Sequence, residues 1–298
     1  MNAEELREGL AAAQVPLLVH VLPEEIFAAS RIAGSVNACV YETAFLANME
    51  TLAPDKTQPV IVYGAGGDSL DAVTAREKLL MAGYSDVDAF TGGLAEWRAA
   101  GFPIESGNDL PAAPELDGRF AVDVPQSVVR WTGRNLYNFH TGTVRLGSGE
   151  IVLKQGELIT ACFSIDMNSI ACEDLTDPTW NAMLLRHLHD ADFFEIATHP
   201  SAEFVATRAT KIDACTEGTS NYLLSGNFTL RGVTRPLAFP ILVALAADGS
   251  LTGQCQFELD RTQFGSRYGS GRFFQFLGKH VVNDLVHLHV KIHAVREG

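Results

Sequence analysis

The chain has 298 residues, 47 % apolar and 19 % charged, with a net charge of −14. That much apolar side chain excludes a disordered protein and suffices for two separate cores. The acidic balance argues against nucleic acid, and against an anionic membrane surface, as partner.

The charge is uneven: residues 1–110 hold 16 acidic and 6 basic side chains, and the remainder is near balance. Cys39, Cys162, Cys172, Cys215 and Cys255 form an odd set without CxxC spacing. Neither a zinc knuckle nor a disulfide framework is implied, and reduced, mostly buried thiols are expected.

Leu17–Leu22 is a short continuous apolar run, the pattern of a parallel strand buried on both faces. Pro23–Ser30 follows as a short helix, and Ile32–Asn37 as turn and strand. Val60–Tyr63 is the next strand and leads into the loop Gly64-Ala-Gly-Gly-Asp-Ser69. Apolar spacing over Asp68–Met81 predicts a helix that ends at Gly83. Val87–Phe90 reads as a strand, before Gly92-Gly93 turns into a short helix containing Trp97. Strands alternating with helices predict an α/β doubly wound parallel sheet for residues 1–106.

Ile32–Val36, the strand and loop over 60–69, Gly83-Tyr84, Gly92-Gly93, Trp97 and Gly101-Phe-Pro103 resemble the rhodanese-like family. The resemblance implies a nucleophilic Cys at the first loop position and an Arg five residues on. Here those positions hold Gly64 and Ser69, and the family's acidic and basic pair on an early strand is replaced by His20 and Leu22. Backbone N–H groups over Gly64, Ala65, Gly66, Gly67, Asp68 and Ser69 can still cradle an anion. Without a thiolate they cannot carry a persulfide. The loop is read as degenerate and the domain as lacking sulfurtransferase activity. Cys39, with no cation or helix N-terminus near it in sequence, is read as apolar filler. Gly64→Cys with Ser69→Arg is expected to restore persulfide formation.

Residues 107–117, rich in Gly, Pro and polar side chains, read as a linker between independently folding domains. Over 118–298 the pattern changes to period-2 alternation. Segments 127–134, 143–146, 150–154, 157–164, 203–210, 222–230, 235–245, 251–259 and 281–295 read as strands. Gly147-Ser-Gly149 reads as a hairpin turn between two of them. Pro178–His189 alone reads as a helix, with Met183, Leu184 and Leu188 as its stripe. These segments predict an all-β antiparallel barrel. On the last strand Val282, Val286, Leu288, Val290, Ile292 and Ala294 share one face, and Asn283, His287, His289, Lys291 and His293 the other. An apolar interior and a polar, basic exterior follow.

Ser127-Val, Trp131-Thr-Gly133, Ile165–Ile170, His187-Leu188, Asp192-Phe-Phe194, Pro200–Phe204, Gly226–Pro236 and Asp260–Gly265 resemble the YceI-like family. Thr229–Pro236 is the most specific stretch. The resemblance implies a lipocalin-like barrel whose deep apolar tunnel holds an isoprenoid or fatty-acyl chain. Trp131, Phe204, Phe228, Leu230, Phe239, Ile241, Val286, Leu288 and Val290 would line it. Periodicity alone gives the same residues equally well to a filled core. Family members are commonly exported. The opening Met1-Asn-Ala-Glu-Glu-Leu has neither a basic nor an apolar leader region, and a cytoplasmic location is expected.

His287, His289 and His293 invite a metal reading. Only the first two, about 6.5–7 Å apart along a strand, are close enough to share an ion. No Asp or Cys follows at ligand spacing, so no metal is expected and the face is read as polar exterior or subunit interface. His187 is read as support for the helix over the barrel, and Arg261 as a bond to a neighbouring loop. No Ser-His-Asp order, paired carboxylates or Lys-bearing phosphate loop occurs in the second domain, so no catalytic residue and no cofactor are assigned. The expected protein binds a long-chain lipid or isoprenoid (a polyisoprenoid, quinone or fatty-acyl chain), without nucleic acid or a membrane span, as a homodimer. The alternative is an interaction or regulatory scaffold with a packed barrel.

Overall fold

A computed structural model describes residues 1–12, 15–107, 117–213, 215–246 and 248–297. Two compact units, Met1–Ala112 and Ala113–Gly298, make up the chain. Residues 108–116, most of the expected linker, lie outside the described residues.

The first unit runs α1 (Ala3–Leu10), β1 (Leu17–His20), α2 (Glu24–Ala29), β2 (Ser30–Ile32), β3 (Val36–Asn37), α3 (Phe45–Leu52), β4 (Val60–Tyr63), α4 (Asp71–Met81), β5 (Val87–Phe90), α5 (Gly93–Ala99) and β6 (Ile104–Ser106). Asn2 starts α1 through a reciprocal capping box with Glu5. The parallel sheet has the order β3-β1-β4-β5, and β2 pairs separately with β6. Every residue of β4 is buried, because helices cover both faces. Val60 and Val62 face a core with Phe45 and Met49 of α3 and Leu79 of α4. Ile61 and Tyr63 face the other, with Leu6 of α1 and Leu94 and Trp97 of α5.

The second unit runs β7 (Gly118–Val122), β8 (Val128–Arg134), β9 (Phe139–Lys154), β10 (Glu157–Cys172), α6 (Pro178–His189), β11 (Ser201–Lys211), β12 (Tyr222–Leu230), β13 (Val233–Leu245), β14 (Leu251–Asp260) and β15 (Leu285–Arg296). Nine strands fill eight positions. β7 and β8 share one slot, β7 pairing with one half of β9 and β15, and β8 with the other half of each. β10 closes the antiparallel circuit onto β9. Pro236 and Pro240 sit in β13 without breaking the ladder to β12. They are tolerated because β13 pairs with β14 only over Leu242–Leu245, which leaves their other side unpaired. Phe239 and Phe257 stack across that seam, 4.3 Å apart and 9° from parallel.

The hairpin expected at Gly147-Ser-Gly149 is not there. These residues lie inside β9, and the turn is at Gln155-Gly156. The register onto β10 slips between Ser164 and Ile165, and burial along β9 changes from even positions (142, 144, 146) to odd ones (151, 153). That is a β-bulge, which bends the long strand around the barrel. Glycine is needed at 149 because a Cβ would lie 2.7 Å from both Phe163 and Val122.

Asp177 caps α6 by accepting from the backbone of Thr179 and Trp180, with Pro178 in the first turn. Among the described residues no helix is long and apolar enough to cross a membrane.

Candidate functional site

Alternation on the barrel strands aims one face of each inward, and the inward side chains do not fill the space. They enclose a cavity of about 210 Å³. All nine residues expected at a tunnel wall line it: Trp131 of β8, Phe204 of β11, Phe228 and Leu230 of β12, Phe239 and Ile241 of β13, and Val286, Leu288 and Val290 of β15. From Val286 to Ile292 the wall runs about 20 Å along β15 at ~3.3 Å per residue. The space is narrow and elongated, and below the roughly 300–1,000 Å³ of ordinary ligand sites.

Sequence reasoning missed part of the wall. Met167, Ile170, Leu188, Phe193 and Phe194 close one end from β10, α6 and the loop that follows it. Phe257 contributes from β14. Met167 continues the alternation of Ala161, Phe163 and Ile165 beyond the expected strand end, whereas Ile170 follows a register slip that strict alternation does not reveal. Apart from Trp131 and Cys255, only Gln254, Arg261 and Asn283 bring polar groups to the lining. Desolvation pushes the Cys255 thiol up to about 12, so it remains a neutral part of the wall. The Trp131 indole Nε1 is buried without a hydrogen-bond partner. An unmade bond of this kind costs about 1–3 kcal/mol.

Two arginines fix the capped end. Arg261, fully buried, donates to the carbonyls of Asn283, Ser266, Tyr268 and Val282 at 2.7–3.2 Å. Arg231 donates to the carbonyls of Phe193, Gly265 and Ala191 and to Glu195 at 2.7–3.0 Å. His187 packs edge-on against Tyr268, 4.2 Å between ring centres, and joins α6 to the loop after β14.

The histidines of β15 do not converge: His287 pairs with Glu258 at 3.4 Å, His289 is exposed, and His293 approaches Asp123 at 4.0 Å. A different group does gather. His140, Cys172 and Asp174 bring ligand atoms within 4.8 Å of one another, a proximity that the register of β9 on β10 creates and sequence spacing hides. Its members bond one another. Asp174 accepts from Thr141 N–H at 2.7 Å and from the Cys172 thiol at 3.2 Å, and bonds His140 Nδ1 at 2.9 Å. Buried thiols are fewer than expected: Cys39 and Cys172 are buried and Cys255 is intermediate, but Cys162 and Cys215 are exposed. Cys162 lies in β10 beside inward-facing Ala161 and points outward.

In the first unit the loop Gly64–Ser69 ends at Asp71, the first residue of α4, which is almost fully buried. Its carboxylate accepts from Ala65 N–H at 3.0 Å, Ser69 Oγ at 2.7 Å and Ala72 N–H at 2.6 Å. Loop donors that would hold an external anion hold this one, beside the positive end of the helix. A Cβ at Gly64 would overlap the Asp71 carboxyl group. The expectation that Gly64→Cys with Ser69→Arg restores persulfide chemistry therefore gains a condition: the Asp71 carboxylate must swing out of the position that a sulfur would take. His20 is buried with neither ring nitrogen bonded, and burial lowers it to about 4 despite the opposing charge of Asp71.

The sequence model of the YceI-like domain matches residues 120–294, and that of the rhodanese-like domain matches residues 2–100. No curated protein matches the chain. Among solved structures, BcnA of Burkholderia cenocepacia is 21 % identical with a TM-score of 0.46, over 58 % of this chain and 99 % of that one. A domain from Saccharophagus degradans, described as polyisoprenoid binding and implicated in plant cell wall breakdown, is 13 % identical with a TM-score of 0.43, over 60 % and 98 %. The rhodanese-like domain of Alr3790 from Anabaena sp. is 25 % identical with a TM-score of 0.33, over 38 % and 83 %.

Proposed function

This chain belongs to the YceI-like family, and on that premise we propose a cytoplasmic binding protein whose barrel holds one long apolar chain, a polyisoprenoid, quinone or fatty-acyl group. The observation that carries this reading is the narrow apolar cavity, bounded over about 20 Å of β15 by a single strand face. Each methylene buried there contributes about 0.8 kcal/mol, so about ten offset the cost of association and leave a specific complex. The cavity also speaks against a packed scaffold. The rhodanese-like unit is non-catalytic in this reading, because Gly64 stands at the nucleophile position and Asp71 occupies the loop. The outer strand faces form a homodimer, for which light scattering is the check.

Native mass spectrometry of the purified chain, with organic extraction, tests the reading. A bound apolar molecule with a long unbranched or isoprenoid chain is expected. Protein that carries none, and that takes up neither an added fatty acid nor a polyprenol, would overturn it.

A further inference from the structure

The loops at the capped end carry side chains that neither the barrel nor the cavity uses. Strand directions place four connections together: β8 to β9, β10 to β11, β12 to β13, and β14 to β15. The first and last are joined directly. Asn283 N–H donates to Arg134 O at 2.8 Å, and Asn135 bridges to Val282. Leu136, Tyr137 and Phe139 are 59 %, 75 % and 60 % exposed on the first; Phe273, Phe274 and Phe276 are 45 %, 49 % and 100 % exposed on the last. Phe276 is held at φ 59, a left-handed conformation that disfavours a bulky side chain, and it touches solvent on all sides.

Charge on these loops departs from that of the chain. Between Asp260 and Asp284 there is no acidic residue, while Arg261, Arg267, Arg272 and Lys279 are basic, within a chain of net charge −14. Arg261 is buried and Arg272 pairs with Asp260 at 3.1 Å and Asp284 at 3.6 Å, but Arg267, Lys279 and neighbouring Arg134 are exposed. On the β10–β11 connection Glu173 pairs with Arg130, Asp174 with His140 and Glu195 with Arg231, Asp177 caps α6, Asp192 lies 3.8 Å from His187, and Asp190 is exposed. Exposed aromatic side chains flanked by cations fit the headgroup layer of an anionic bilayer. Screening confines such an attraction to about 10 Å, so the charges carried by the loops themselves weigh most in it.

We propose that the loops at 134–139 and 265–283 dock this end of the barrel on an anionic lipid bilayer. Val282 and Asn283 belong both to these loops and to the cavity wall, and Gly133 of the wall adjoins the first loop, so docking sets the end of the cavity against the membrane. The purpose of docking, exchange of an apolar chain with the bilayer, rests on the reading of the cavity as a lipid site; the docking itself does not.

Flotation of the full chain with vesicles of phosphatidylcholine, alone or with phosphatidylglycerol, is the test. The chain is expected to float with the anionic vesicles and to be released by salt. Phe273→Ser/Phe274→Ser/Phe276→Ser is expected to lower vesicle affinity at least about tenfold at an unchanged thermal midpoint. Arg267→Glu/Lys279→Glu is expected to remove the preference for phosphatidylglycerol. The proposal is overturned if the wild-type chain does not float, if the triple variant floats equally well, or if the phenylalanines instead hold two copies of the chain together and vesicles recover neither. Extraction of the same samples separates the two readings. A variant that fails to float yet keeps its lipid has lost docking alone, whereas a wild-type chain that floats without lipid supports docking and counts against the cavity.

Discussion

The Asp71 carboxylate lies where a side chain on Gly64 would project. Two positions seven residues apart thus compete for one space: a side chain at 64 requires the Asp71 carboxylate to give up its place. The first prediction is a coupled pair of substitutions. Gly64→Cys alone overpacks the loop and is expected to cost about 1–3 kcal/mol. Adding Asp71→Ala opens the space while leaving three donors unpaired, so the two costs should be less than additive by about 0.5–3 kcal/mol. Thermal melts of the four proteins measure the coupling. Of the four, only Gly64→Cys/Asp71→Ala is expected to gain a sulfur from thiosulfate by mass, with sulfite as the leaving group.

His20 gives the first unit a pH dependence with a definite sign. In the unfolded chain it takes up a proton near its ordinary value of 6.5, whereas in the fold it stays neutral down to about 4. The unfolded state therefore binds more protons between these values. Stability is full above pH 6.5 and falls as the pH drops to 4, by about 3 kcal/mol. Hydrogen exchange of the β1 and β4 amides reads this directly, and His20→Met is expected to flatten the profile.

The sequence showed most of this architecture because its signals are local. Glycine ends helices, apolar runs mark β1 and β4, and period-2 alternation on β15 separates the cavity face from the outside. It misled at Gly147-Ser-Gly149, where glycine marks a bulge inside a strand, because one residue type serves turns and bulges alike. It could not show that Asp71 enters the loop, that His140 meets Cys172 and Asp174, or that the wall encloses space. These depend on register and on how side-chain volumes sum across strands.

Arg261 holds four carbonyls that no nearby side chain replaces. Arg261→Met is expected to destabilise the second unit by on the order of 3 kcal/mol and to free the loop after β14. Arg261→Lys should not rescue it, because an ammonium lacks the planar fork that reaches several acceptors. Denaturant melts give the magnitude, and proteolysis between 265 and 284 reports the loop.

Thiol reactivity follows exposure. Cys162 and Cys215 are expected to react promptly with a disulfide reagent in the native protein. Cys39, Cys172 and Cys255 should react only on unfolding, Cys255 with the added barrier of a thiol pushed up to about 12. Peptide mass mapping after a short exposure identifies the labelled positions.

Gly253 offers the most direct test of the cavity as a lipid site. It lines the wall, and a Cβ there would meet nothing nearer than Ile292 at 3.8 Å, so a larger side chain enters open space. Affinities of a fatty-acyl or polyprenyl length series for the wild-type chain and for Gly253→Leu give the measurement. For the wild-type chain, affinity is expected to rise about fourfold per added methylene, the equivalent of ~0.8 kcal/mol, until the cavity is full. In Gly253→Leu the plateau should arrive at a shorter chain, with the fold intact by circular dichroism. Affinity independent of chain length, or a plateau that Gly253→Leu leaves in place, would contradict a ligand held inside the barrel.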